Sequence, residues 1–167
     1  MDFKANSAAI KVKIVSPLIH NPIPLPAYAT SGAAAMDLHA CALEPIVIPA
    51  RAQGKVPTGI AIELPHPGMV ALVFPRSGLA AKNGISLSNA VGVIDSDFRG
   101  EIICLVKNDS DSDFTVHPGD RIAQLGFFPV YHGILEIVPE LASSERGAGG
   151  FGSTGVAQAF KPDCEPE

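Results

Sequence analysis

Apolar and polar positions alternate along much of this chain instead of recurring every third or fourth residue. Ile10, Val12 and Ile14 are separated by Lys11 and Lys13, the spacing of a half-buried strand whose successive side chains leave opposite faces. Further short β-type runs lie at 36–40, 46–48, 56–64, 69–74, 101–106, 121–130 and 134–138. Turn formers stand between them: Pro49, Pro65-His66-Pro67-Gly68, Asn83-Gly84, Asn108-Asp109 and Pro118-Gly119. Short strands punctuated in this way predict an all-β sandwich or barrel. One helical piece is predicted near 77–82, where Leu79, Ala80, Ala81 and Lys82 favour helix and Gly84 stops it.

From Pro139 the alternation ends, and five glycines fall between Gly147 and Gly155. The layout is therefore a single β domain, 1–138, followed by a flexible glycine-rich arm, 139–167. With 167 residues, 47% of them hydrophobic, the chain can bury one core without disulfides. Cys41, Cys104 and Cys164 are odd in number and form no CxxC pair, which fits neither a disulfide framework nor a structural zinc site. The net charge is -5 and the basic residues are scattered, which argues against a nucleic-acid partner or an anionic membrane surface. No window approaches the roughly 18 apolar residues of a membrane span. The start, MDFKANSAAIKVKIV, lacks a signal-peptide core. The expectation is a cytoplasmic, soluble protein.

Several formal motifs fail on physical grounds. Gly147, Gly149 and Gly152 fit GxGxxG, but that fingerprint works only between a strand and a helix, and too little chain remains for the unit. Ser153 stands where a P-loop needs its Lys. Asp109, Asp111 and Asp113 have calcium-loop spacing, but Phe114 replaces the obligatory Gly and Asp120 the closing Glu, so a polar hairpin turn is the better reading. The arm itself admits two readings, plain disorder or a phosphate-binding lid. In the second, glycine N–H groups converge on an anion, Arg146 offers a fork, Ser153 and Thr154 add hydroxyls, and Phe151 stacks on a base.

The central stretch 75–102 is richer. Arg76, Ser77 and Gly78 follow a predicted strand end; the glycine lets an anion approach the backbone, which suggests a phosphate grip. Residues 88–94 are small and apolar around Asn89, the composition of a hairpin whose exposed backbone could meet a flat heterocycle. Asp95 follows. A carboxylate there can deprotonate a water if the ligand brings a metal to offset its own charge. By composition alone, Asp95 and Asp97 read first as turn residues.

In this order and spacing, five segments resemble the trimeric dUTPases: GAAAMDL (32–38), PRSGLA (75–80), the stretch 88–101 containing GVIDSDFRGE, GDRIAQL (119–125) and RGAGGFGSTG (146–155). The resemblance implies a jelly-roll-like (β-clip) subunit in a homotrimer, with active sites between subunits and the arm as a lid. It implies hydrolysis of dUTP to dUMP and pyrophosphate with Mg2+ held by the triphosphate. Carried over residue by residue, Asp95 activates the water, while Arg76, Ser77, Gly78 and Gln124 hold the triphosphate. Asn89 and the backbone through Val93 and Ile94 read uracil. Asp37 reaches the magnesium through water. Arg146, Phe151, Gly152, Ser153 and Thr154 belong to the lid. Phe98 stands where the family usually has Tyr under the sugar; the ring is kept and the hydroxyl lost, so sugar discrimination is expected to survive. The related dCTP deaminases would carry a second Ser at Gly78, and an inactive binding module would lack Asp95, Arg76 or the arm.

Overall fold

The computed structural model describes residues 7–150. They form, in chain order, β1 Lys11–Ile14, β2 Ala27–Tyr28, β3 Met36–His39, β4 Ile46–Ile48, β5 Gln53–Pro57, β6 Ile60–Glu63, β7 Met69–Pro75, α1 Ser77–Asn83, β8 Ile85–Leu87, β9 Gly92–Ile94, β10 Ile103–Asn108, β11 Phe114–Val116 and β12 Arg121–Pro129. All pairings between these strands are antiparallel: a five-stranded sheet β2-β3-β12-β7-β9, a three-stranded sheet β5-β10-β8, and the pairs β1-β6 and β4-β11. Leu38, Ile48, Val56, Ile60, Ile102, Val106, Val116 and Leu125 are almost wholly buried and form the centre of the core. Residues through His132 make one compact unit and those from Gly133 a second.

The alternation predicts most strands, and the departures have local causes. The run 56–64 is two strands, not one. Gly59, at φ 74°, turns the chain between β5 and β6, and a Cβ there would run into Cys41 Sγ, so both conformation and space demand glycine. Its N–H donates to Glu101 Oε1 at 2.7 Å and Thr58 Oγ1 donates to the Ile102 carbonyl at 2.6 Å. β1 forms as expected but is exposed along its whole length instead of half-buried. The strand expected at 101–106 lies at Ile103–Asn108, with Cys104, Val106 and Asn108 inward and Ile103, Leu105 and Lys107 outward.

Residues 134–138 are not a strand. Ile134, Leu135 and Ile137 are each at least 96% exposed, because a ladder needs a partner's N–H and C=O groups and none of the described strands pairs there. The acidic stretch points three ways: Asp109 to Lys107 Nζ (2.7 Å), Asp111 to Arg51 (2.7 Å), and Asp113 Oδ1 to the Ala50 N–H (2.9 Å). Buried Asn108 organises this turn by donating to the Ile48 and Ser112 carbonyls and accepting from Ser110. Cys41 and Cys104 are buried free thiols, and burial pushes that of Cys104 up to about 12.

Candidate active site

β12 is the spine of the site. Gln124 stands opposite Asp37 of β3 on one side and Phe74 of β7 on the other. Pro75, which has no N–H to continue the ladder, ends β7. Arg76 follows in extended conformation as the N-cap of α1, beside the same row. Residues 121 and 124 of a regular strand would face opposite sides. The register shifts between Arg121 and Ala123, and this bulge re-aims Arg121 so that it and Gln124 reach one carboxylate.

That carboxylate, Asp37, is buried. Arg76 Nε lies 3.4 Å and Gln124 Nε2 3.4 Å from its Oδ1, and Arg121 Nη1 lies 3.3 Å from its Oδ2. Arg76 Nη1 also donates to the Arg121 carbonyl at 2.8 Å. Two guanidinium groups on one carboxylate leave one positive charge in excess. The half-exposed side chain of Arg121 opens that charge to solvent, a setting suited to phosphate oxygens. His39 sits next along β3; burial chiefly holds its pKa below the usual value, Asp37 opposes this, and the two arginines assist it. Its Nδ1 is buried with no partner among the described residues. Ser77 and Gly78 open α1 on the exposed side. A Cβ at Gly78 would meet nothing within 4 Å, so packing does not require glycine there.

The second group of residues follows the sheet edge. β9 pairs with β7, Gly92 opposite Val73 and Ile94 opposite Ala71, whereas β8 pairs with β10. The expected hairpin over 88–94 is thus a crossing between two sheets, because each flanking strand finds a different partner. Within it Ala90 adopts φ 58° and the Val91 N–H donates to the Asn89 carbonyl at 2.6 Å. Space at Gly92 is tight: a Cβ would lie 3.2 Å from Val73 Cβ and 3.5 Å from Asn89 Nδ2. Asn89, Val93, Asp95 and Phe98 are exposed, and the Phe98 N–H closes a turn on the Asp95 carbonyl at 3.1 Å.

Asp37, Arg76, Gln124 and the start of α1 are brought together, but Asp95 is not among them. Ile94 stands opposite Ala71, five residues before Arg76. At about 3.3 Å per residue this is a separation of about 16 Å along β7. Arg146 lies in a turn of its own, its Nε donating to the Gly149 carbonyl at 2.9 Å. Phe151, Gly152, Ser153 and Thr154 lie outside the described residues. Arg121 was not singled out by sequence, although it belongs to the GDRIAQL segment; a bulge leaves no compositional mark.

The dUTPase family model matches residues 21–155. The deoxyuridine 5'-triphosphate nucleotidohydrolase of Legionella pneumophila strain Philadelphia 1 is 51% identical over 146 residues, covering 87% of this chain and 96% of that protein. That of Desulfitobacterium hafniense strain DCB-2 is 51% identical over 149 residues, covering 89% and 99%. The solved structure of the Staphylococcus bacteriophage 80alpha dUTPase with dUPNHPP superposes with a TM-score of 0.79 at 26% identity, covering 90% of this chain and 100% of that one. Fold and site together define a hydrolase built on the β-clip jelly roll. The chain belongs to the dUTPase family.

Proposed function

We propose that this chain hydrolyses dUTP to dUMP and pyrophosphate, limiting dUTP and supplying dUMP for thymidylate synthesis. The Asp37–Arg76–Arg121–Gln124 cluster grips the triphosphate and Asp95 activates the water. The observation that carries the reading is a basic, carboxylate-centred cluster at the ends of β7 and β12 inside a chain that matches the family model from 21 to 155. The Asp95 carboxylate accepts a proton from water as its oxygen attacks the α-phosphorus. The bond from that phosphorus to the α–β bridging oxygen breaks, and pyrophosphate leaves. Positioning and electrostatics supply most of the acceleration. Ser77 and Gly78 add donors at the phosphates, Asn89 with the backbone of Val93 and Ile94 reads uracil, and Phe98 packs at the deoxyribose.

Asp37 is the hard oxygen donor of the cluster, its carboxylate oxygens lying 3.3–3.4 Å from Arg76, Arg121 and Gln124. Among the described residues no group of three His, Cys, Asp or Glu could hold a metal ion. Asp37, a hard carboxylate donor, would be the residue to hold Mg2+ brought by the triphosphate, and the ion would offset phosphate charge there.

The site is completed in a homotrimer. Support comes from the separation of about 16 Å between Asp95 and the phosphate grip within one chain. Exposed apolar surface on β1 (Val12, Ile14), on β10 (Ile103, Leu105) and at Ile134, Leu135 and Ile137 points the same way, since such surface is rarely left uncovered. The arm, 139–167, closes over the site with Arg146 on phosphate and Phe151, Gly152, Ser153 and Thr154 at the nucleotide. No helix among the described residues is long and apolar enough to cross a membrane. A cytoplasmic location and the absence of nucleic-acid or membrane partners complete the reading. Incubation with each deoxynucleoside triphosphate and Mg2+, assaying pyrophosphate and ammonia separately, tests it: pyrophosphate from dUTP is expected, whereas ammonia from dCTP would make the chain a deaminase. UTP should be hydrolysed at least about tenfold more slowly than dUTP.

A further inference from the structure

The turn after Asp95 holds its aromatic ring by an unusual division of labour. Its backbone is fixed from within: the Phe98 N–H donates to the Asp95 carbonyl at 3.1 Å, and Arg99 Nη1 donates to the Ser96 and Phe98 carbonyls at 2.8 and 2.9 Å. Phe98 is 42% exposed, and its ring is held on one side by an absence. A Cβ built on Gly100 would lie 2.6 Å from the ring's Cζ, 3.0 Å from Cε2 and 3.3 Å from Cε1. Gly100 does not have a positive φ, so no left-handed backbone demands glycine there. Space for the ring is the one demand for glycine that the geometry makes.

We propose that Gly100 is a positioning residue for sugar selectivity: its bare backbone is the seat on which the Phe98 ring rests, and the ring's stance there sets how closely it meets the pentose. The inference rests on the reading that Phe98 packs at the deoxyribose. Any side chain at 100 meets the far end of a partly exposed phenyl group while the carbonyls beneath stay clamped by Arg99. The ring therefore swings to another rotamer and the turn's backbone remains. A displaced ring ceases to close the space that a 2′-hydroxyl would need.

The test compares kcat/KM for dUTP and UTP in the parent, Gly100→Ala, Phe98→Ala and the double variant. The expected result is an unchanged trimer mass and melting temperature for Gly100→Ala, with the dUTP preference reduced roughly tenfold. A crystal structure of that variant should show the ring rotated away from position 100. Because Gly100 acts only through the ring, adding Gly100→Ala to Phe98→Ala should change the ratio no further. If Phe98→Ala lowers the preference and Gly100→Ala leaves it intact, the positioning role is overturned while the role of Phe98 stands. If Phe98→Ala leaves it intact, the reading of Phe98 at the sugar fails and takes this inference with it. Should Gly100→Ala not fold, the F98L/G100A pair decides. Its shorter side chain makes room for a Cβ, so recovery of a folded, active protein supports the seat, and failure to recover shows a backbone requirement and overturns it.

Discussion

The two parts of the proposed site are built in opposite ways. The proposed phosphate grip is assembled from residues distant in sequence, Asp37, Arg76, Arg121 and Gln124, which meet because β12 lies between β3 and β7 in one register. Its central carboxylate is buried, and a slip of one residue would turn every contributor to the other face. The Asp95–Gly100 turn is the reverse case. It is contiguous in sequence, hangs from the edge strand β9, is largely exposed, and is shaped by bonds among its own residues. The sheet makes an anion site rigid where charges must be held against desolvation. An edge turn presents its groups outward.

The comparison can be broken most decisively by Asp95→Asn. The amide still fills the space but cannot take a proton, so hydrolysis should fall about 10²–10⁴-fold while calorimetric dUTP binding persists; loss of binding would place Asp95 in the rigid half instead. Co-expressing Asp95→Asn with Arg76→Ala sharpens the same point. If the two parts meet across subunits, the co-expressed population regains about a quarter of parental activity, the binomial share in a cyclic trimer; no recovery would mean that one chain supplies both. A chain ending at residue 145 should keep its fold and trimer mass while turnover falls about 100-fold, as read by sedimentation and pyrophosphate release.

Within the rigid half, Asp37→Asn leaves two guanidinium groups without their counter-charge. Urea unfolding should show a loss of about 1–3 kcal/mol, together with a raised KM. The smallest effect lies beside the turn. The Lys11 ammonium, hydrogen-bonded to Glu63 at 2.8 Å, holds that carboxyl below its usual value of 4.5, with Arg99 assisting more weakly. A depressed carboxyl pKa supports the fold above 4.5 and the support is lost as pH falls through the lowered value. Amide exchange in β1 should therefore be faster in Glu63→Gln than in the parent at about pH 7, with the difference shrinking as pH falls below the usual carboxylate value.

What the sequence determined by itself was local chemistry. Strand alternation at 36–39, 46–48 and 69–75, the helix opening at Ser77, and the residue types of each motif follow from side-chain direction and turn preference, which act over a few neighbours. Only the tertiary structure decided that the run 56–64 breaks at Gly59, that 134–138 finds no ladder, that Arg121 turns toward Asp37 at a bulge, and that Asp95 stands far from Arg76. Each depends on which strands pair and in what register. Burial across the whole sheet settles that choice between segments dozens of residues apart, and no short stretch of sequence contains the energy that makes it.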